Sequence, residues 1–277
     1  YHSFKNTLIL NSGLLAKHFT VDARMSNIRS DGYIERAGSR LSSFFSSIAY
    51  SGNKNSLRLN IFTGKEKTYQ AWYGIDEKTL KLNRRYNAAG TEKPGEPYDN
   101  ETDNYTQTHY QLFYNHKISS SLKANIAVFL TRGKGYYEQY KSAGSLGNYQ
   151  LPDYNDGTNI ITETDLVRRL WLDNYFYGSV FSLQYQQKNT TLIAGGGLNK
   201  YDGKHFGEIN WAMIQAAVPL NHRWYNLTAG KKDVSGYVKW TQKINKNWQT
   251  FIDLQLRTVD YSINGFRNNP GLQVKNN

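Results

Sequence analysis

The stretch "NWQTFIDLQLRTVDYS", residues 247–262, decides the fold because apolar and polar residues alternate along it. Trp248, Ile252 and Leu254 fall on one parity, whereas Asp253 and Arg257 fall on the other. A period of two residues is typical of a β-strand with one apolar and one polar face. In a soluble sheet the apolar face would cover a protein core, and in a membrane barrel it would meet lipid while the polar face lined a wet interior.

The same alternation returns along the chain and predicts an all-β protein of about ten strands. We place these strands near 2–10, 14–29, 40–50, 55–69, 106–118, 121–136, 171–186, 190–202, 233–244 and 248–262. Short turns rich in Asn, Gly and Ser are expected at 11–13, 51–55, 119–121, 187–190 and 245–247. Long polar loops are expected at 31–39, 70–105, 137–170, 202–232 and after 263. Short turns at one end and long loops at the other favour an antiparallel transmembrane β-barrel over a soluble sandwich.

The composition excludes several other classes of protein. The mean hydropathy of −0.69 leaves no run of the roughly 20 apolar residues that a membrane helix needs, whereas barrel strands average to a polar composition. The absence of cysteine excludes disulfides, thiol nucleophiles and Cys-based zinc sites. The net charge of +12 comes from Lys and Arg scattered along the chain, which argues against nucleic acid as a partner.

The search for catalytic and metal-ligating patterns finds little. The six His include no HExxH pair, and the acidic stretches 98–104 and 153–157 lack the spacing of a calcium loop. We therefore predict no catalytic residues, no metal and no cofactor. The nearest approach to a catalytic pair is His109 with Asp103 or Asp99.

Three stretches carry a resemblance to a known family: "SDGYIERAGSR" at 30–40, "GTEKPGEPYDNETDNYTQTHYQLFYNHK" at 90–117 and "GGGLNKYDGKHFGEINWA" at 195–212. Together they resemble the TonB-dependent outer-membrane receptors, in particular the iron-siderophore type. The resemblance implies that residues 1–277 are a middle section of a receptor barrel of about 22 strands, without its plug domain and TonB box. It also implies active uptake across a Gram-negative outer membrane and no enzyme activity. The implied partners are a ferric siderophore, TonB through the missing N-terminal part, and outer-membrane lipid with lipopolysaccharide.

Guanidinium groups beside aromatic rings suit anionic or catecholate ligands, because they combine bidentate hydrogen bonds with stacking. The arginine pairs at 84–85 and 168–169 lie among aromatic residues, and His205 is expected in a long outer loop. The ligand-binding candidates are Trp72, Arg84, Arg85, Tyr86, Tyr98, Arg168, Trp171, His205 and Trp211.

Three alternatives stay open on the sequence. The first is a complete ten-stranded outer-membrane protease of the omptin kind, which would need Asp and His at the rim of its lumen. The second is an importer of haem, cobalamin or glycan, since such importers share the same barrel. The third is a soluble β-rich protein that binds carbohydrate through its Trp and Tyr residues.

Overall fold

The computed structural model describes residues 1–266 and 269–276, and these form an open antiparallel sheet of 11 long strands. The strands are β1 (Phe4–Asn11), β2 (Phe19–Ser30), β3 (Ser39–Ser51), β4 (Asn55–Tyr69), β5 (Thr102–Lys117), β6 (Leu122–Ser145), β7 (Tyr154–Asn155), β8 (Ile160–Ile161), β9 (Glu163–Gln187), β10 (Thr190–Ala212), β11 (His222–Lys243), β12 (Gln249–Phe266) and β13 (Asn269–Lys275). Every long strand pairs with its neighbour in the chain, while β7 and β8 form a separate two-stranded hairpin.

Most connections are shorter at one end of the sheet than at the other, as the sequence predicts, but the turn expected at 11–13 is a longer connection. At the turn end they span 12–18, 52–54, 118–121, 188–189 and 244–248. At the loop end they span 31–38, 70–101, 146–162 and 213–221. One short helix, α1 (Glu77–Leu82), lies in the loop of residues 70–101. Within the described residues, no helix has the length and apolar character needed to cross a membrane.

The cross-strand register gathers the apolar parities of all the long strands on one face. Ile126 in β6 lies opposite Tyr114 in β5 and Phe181 in β9, and Leu198 in β10 lies opposite Val234 in β11. These side chains form a continuous exposed surface, which we call the apolar band: Leu8, Val21, Met25, Ile48, Leu57, Leu112, Ile126, Val128, Leu183, Leu198, Val238 and Leu254. Exposure of such a large contiguous apolar area marks a surface that another apolar medium or molecule covers.

The opposite face, which we call the inner face, carries the polar parity. Lys239 Nζ lies 3.3 Å from Asp253 Oδ2, and Arg257 Nε donates to Asp233 Oδ1 at 3.0 Å. Cavities of about 760 and 470 Å³ are lined mainly by residues of this face, so the sheet curves around it. The inner face is therefore the concave side of the sheet.

Several expected boundaries are wrong at the loop end. The stretches 137–170 and 202–232 were expected as loops, but β6, β9, β10 and β11 extend far into them. Arg168, His205 and Trp211 consequently lie in strands rather than in outer loops, and Trp171, expected at the start of a strand, lies within β9. The stretch after 263 likewise contains the end of β12 and an eleventh long strand, β13.

The physical reason is that the strands continue beyond the apolar band, where side chains on both faces become covered. Leu166 and Ile209 are buried there on the inner face, in a small core beneath the folded loops, and Val167 is buried on the face of the apolar band. The Trp224 indole packs directly on the backbone of Gly207, where a Cβ atom would lie 2.3 Å from the ring. Apolar residues on both parities remove the alternation from which strands are recognised.

The open sheet contradicts the alternative of a complete ten-stranded protease barrel. Its order runs from β1 to β13 without a pairing between these two strands among the described residues. The soluble sandwich is also inconsistent with this sheet, because no second layer covers Ile126 or Leu254, which are 44% and 67% exposed in the described structure.

Candidate ligand-binding site

A row of aromatic side chains crosses the inner face at one level of the sheet. Phe45, Phe62 and His109 lie directly opposite one another in β3, β4 and β5, and Phe176 lies opposite Tyr201 in β9 and β10. Thr131 of β6 connects the two groups, since its hydroxyl lies 3.0 Å from His109 Nδ1. The Phe62 and His109 rings stack with centroids 4.4 Å apart and planes 14° apart. We call these five rings the aromatic row.

The aromatic row is accessible from the concave side. The larger cavity is bounded by Phe45, Phe62 and His109 of the row and by Arg24, which lies directly opposite Phe45. Arg24 has no carboxylate oxygen within 4.0 Å among the described residues. A planar group can stack on such rings, and the guanidinium supplies charge for an anion beside them.

A buried carboxylate ties the long loop of residues 70–101, the β4–β5 loop, to the loop end of the sheet. Glu138 of β6 accepts hydrogen bonds from the Tyr98 hydroxyl at 2.5 Å, from the Asn100 amide, and from Arg169 Nε at 2.6 Å. Its side chain is 3% exposed. Three donors, one of them a cation, offset the cost of burying this charge.

Two ionisable groups inside the β4–β5 loop, Tyr98 and Glu101, have raised pKa values. Burial raises the pKa of the Tyr98 phenol, and its hydrogen bond to Glu138 raises it further. Burial also raises the pKa of Glu101 above its ordinary value of 4.5, although nearby Lys141 and a hydrogen bond from the Gly90 amide oppose the shift. The loop is thus packed around one carboxyl that resists ionisation.

We expect packing of the β4–β5 loop to weaken as pH rises. Glu101 stabilises the packed loop fully below its ordinary pKa of 4.5, and this contribution is lost as pH rises through the higher pKa of the folded state. Hydrogen exchange in residues 70–101, corrected for the intrinsic exchange rate, should therefore show falling protection from pH 4 to pH 7. Glu101→Gln should flatten this profile, and exposed Glu96→Gln should leave it unchanged. An identical profile in Glu101→Gln would contradict the assignment.

Four predicted ligand-binding residues lie in the β4–β5 loop near its surface. The Trp72 indole is 58% exposed and meets the Tyr137 ring edge-on at 5.9 Å. Arg84 is exposed, and the described residues offer it no side-chain hydrogen bond or ion pair. Arg85 Nε donates to the Tyr33 carbonyl oxygen at 2.8 Å, and Tyr86 is half-buried.

The other predicted residues are divided between the two faces of the sheet. Arg168 donates to Gln139 Oε1 at 2.8 Å, and this pair shares the inner face with His205. Trp171 stacks on Phe206 with centroids 5.6 Å apart on the face of the apolar band, and Trp211 lies on that same face. The structure therefore brings Arg168 and His205 to the concave side and separates them from Trp171 and Trp211.

The enzyme alternative has no catalytic pair at its suggested position. His109 is engaged by Phe62 and Thr131, and neither Asp103 nor Asp99 is among its hydrogen-bond partners in the described chain. Residues 1–266 and 269–276 also contain no group of three or more His, Cys, Asp or Glu side chains arranged to hold a metal ion.

Comparison with known proteins gives matches by structure alone: no protein-family model and no curated protein sequence matches the chain. The chain is similar to the ferric-catecholate import receptor Fiu from K12 E. coli in its closed form, with a TM-score of 0.58 and 13% identity over 94% of this chain and 39% of that receptor. It is similar to the unliganded ferric citrate transporter FecA, with a TM-score of 0.66 and 13% identity over 99% of this chain and 37% of FecA.

The ferripyoverdine receptor of the Pseudomonas aeruginosa outer membrane, bound to ferripyoverdine, also matches. Its TM-score is 0.66, with 8% identity over 99% of this chain and 37% of the receptor. The chain thus spans about two fifths of the length of these solved structures. Its fold is that of a section of a TonB-dependent receptor barrel, and the proteins that share it here are transport receptors rather than enzymes.

Proposed function

We propose that residues 1–277 are part of the barrel domain of a TonB-dependent uptake receptor in a Gram-negative outer membrane. The observation that carries this proposal is the continuous apolar band on one face of a sheet that matches receptor barrels along 94–99% of the chain. In this arrangement the apolar band faces lipid and the inner face lines a hydrated interior. The plug domain and the TonB-contacting segment belong to sequence outside this chain.

The proposed activity is binding and passage of a small ligand, with no bond of the ligand broken. Ligand binds at the loop end and the concave side, and energy transmitted by TonB rearranges the plug so that the ligand moves inward. A concave, partly apolar surface with a few polar groups is the usual setting for binding a small molecule. The aromatic row and Arg24 provide this combination on the inner face.

The proposed ligand is a ferric siderophore. The similar structures include receptors for ferric-catecholate, ferric citrate and ferripyoverdine complexes, which supports this ligand class for the present chain. In this proposal an incoming anion meets the β4–β5 loop first, through Trp72, Arg84, Arg85 and Tyr86 near its surface. Tyr98 supports that loop through Glu138. Haem, cobalamin and glycan are the competing ligands.

The ligand is tested by growth on defined iron sources after deletion of the gene. We expect the deletion strain to lose growth on at least one ferric siderophore and to regain it with the wild-type gene. Arg24→Ala with Phe62→Ala should restore growth poorly, with uptake at low ligand concentration reduced about tenfold because stacking and charge pairing are both lost. Lys123→Ala, at the turn end of the inner face, is the matched control.

Growth that is unchanged by the deletion on every siderophore tested would overturn the iron assignment. Loss of growth on haem, cobalamin or a glycan instead would assign that ligand. A double variant that equals the wild type, in uptake and at equal surface abundance, would remove the aromatic row from the binding site.

A further inference from the structure

Three cations lie directly opposite one another on the face that carries the apolar band. Arg29 of β2 is paired with Arg40 of β3, and Arg40 is paired with Lys67 of β4. Lys65 lies on the same face one step nearer the apolar band. All four side chains belong to exposed residues. We call these four residues the cationic stripe.

This arrangement is unfavourable within the sheet itself. Directly opposite side chains have Cβ atoms about 4.5–5.5 Å apart, and like charges at that position are destabilising. In the described residues, no carboxylate oxygen lies within 4.0 Å of any cation of the stripe. Lys67 Nζ donates a hydrogen bond to the neutral side chain of Asn100, at 2.6 Å from Oδ1.

Other cations on the same face are paired with carboxylates of the protein. Arg132 and Lys134 lie 2.6 and 3.7 Å from the carboxylate of Asp173. Lys200 lies 2.9 Å from Asp202. The cationic stripe differs from these groups because no acidic side chain in the described part of the chain pairs with it, so its charge is left for an external anion.

The position of the cationic stripe identifies the kind of anion. On β2, Val21 and Met25 belong to the apolar band, and Arg29 follows on the same face towards the loop end. On β4, Leu57 belongs to the band, and Lys65 and Lys67 follow it. When the apolar band faces acyl chains, the stripe lies at the level of the outer-leaflet headgroups.

We propose that the cationic stripe binds the phosphate groups of lipopolysaccharide. The two guanidinium groups can each donate two hydrogen bonds to a phosphate, and the two ammonium groups add point charges beside them. A phosphate seated between Arg29 and Arg40 converts their mutual repulsion into attraction. This inference rests on the proposed outer-membrane location and is independent of which ligand is imported.

The test measures lipid binding to the intact receptor in detergent by native mass spectrometry. The probes are bisphosphorylated lipid A, the same lipid with its phosphates removed, and inorganic phosphate. The wild type should bind bisphosphorylated lipid A and discriminate against the dephosphorylated lipid. The triple variant Arg29→Gln, Arg40→Gln, Lys67→Gln should bind lipid A about 100-fold more weakly, since each cation near a charged membrane surface contributes about fivefold.

Lys200→Gln is the matched control, because this cation lies on the same face but is already paired with Asp202. It should lower lipid A affinity by no more than about twofold, since a paired surface cation contributes little. The triple variant should also melt at the same or a higher temperature than the wild type in lipid-free detergent, because the repulsion is gone. The single variant Arg40→Gln, with about a fivefold loss, is the second variant if the triple variant folds poorly.

Equal lipid A affinity in the wild type and the variants would overturn the proposal, as would equal binding of the dephosphorylated lipid. If inorganic phosphate bound as well as lipid A, the site would belong to soluble phosphate and not to lipid. Uptake of the imported ligand by the triple variant separates the two proposals. Normal uptake by a triple variant that has lost lipid A binding supports the cationic stripe. A protein that binds no lipid A and inserts into no membrane would overturn both the cationic stripe and the proposed outer-membrane location.

Discussion

Replacing Glu138 with Ala is expected to release the β4–β5 loop from the sheet at a cost of about 3 kcal/mol, because breaking a buried ion pair strands its partner. Arg169, Tyr98 and Asn100 all donate to this one carboxylate, so its removal leaves three donors without an acceptor. The Arg169 side chain is 30% exposed, and water there keeps the effect at the lower end of the range for buried pairs.

The measurement is hydrogen exchange in residues 70–101 of the detergent-solubilised receptor, combined with limited proteolysis. Protection of the loop should fall about 100-fold in Glu138→Ala, and Glu138→Gln should give an intermediate loss because it keeps an acceptor but no charge. Glu77→Ala is the control, since Glu77 pairs with Lys81 on the exposed face of α1 and should change protection less than about twofold. A fully protected loop in Glu138→Ala would show that other contacts hold it.

Replacing Ile126 with Arg is expected to destabilise the membrane-inserted protein by about 2–4 kcal/mol, because a charge on the lipid face of a barrel is costly near the bilayer centre. Ile126 is 44% exposed in the apolar band, between Tyr114 and Phe181. Its neighbour Asn125 points to the inner face, where its amide donates to Ser182 Oγ at 3.3 Å. Asn125→Arg should therefore change stability by less than about 1 kcal/mol.

Reversible unfolding in urea from phospholipid vesicles measures both variants. The contrast between adjacent positions is the informative quantity, since both variants add one arginine and differ in the face of the sheet that carries it. Equal loss of stability at 125 and 126 would mean that the two faces meet similar surroundings, which is incompatible with the proposed location in a bilayer.

The sequence was sufficient to predict the fold in the part of the sheet that carries the apolar band. Around Leu254 and Val128 the apolar parity is unbroken, and the structure confirms that these residues share one face. It was insufficient beyond the band, where the consecutive residues Leu166 and Val167 are buried on opposite faces of β9. The alternation of apolar and polar residues cannot identify a strand whose two faces are both covered by protein.

The candidate site was less predictable for a different reason. Phe45 and Tyr201 belong to one row because six strands are paired in one register, and no local stretch of sequence reveals such a row. Their single signal is that both are aromatic residues on a polar parity. The role of Glu138 is equally unpredictable from the sequence. An acidic residue in a strand is expected to be exposed, and its hydrogen-bond donors lie in a distant loop.

The contact between Trp224 and Gly207 has a consequence for the evolution of this chain. The indole occupies the volume that any side chain at position 207 would need. A methyl group there is compatible only with a smaller ring on the neighbouring strand, so the two positions are tied to each other. Among descendants of a common ancestor, glycine and tryptophan should be inherited or exchanged as a pair.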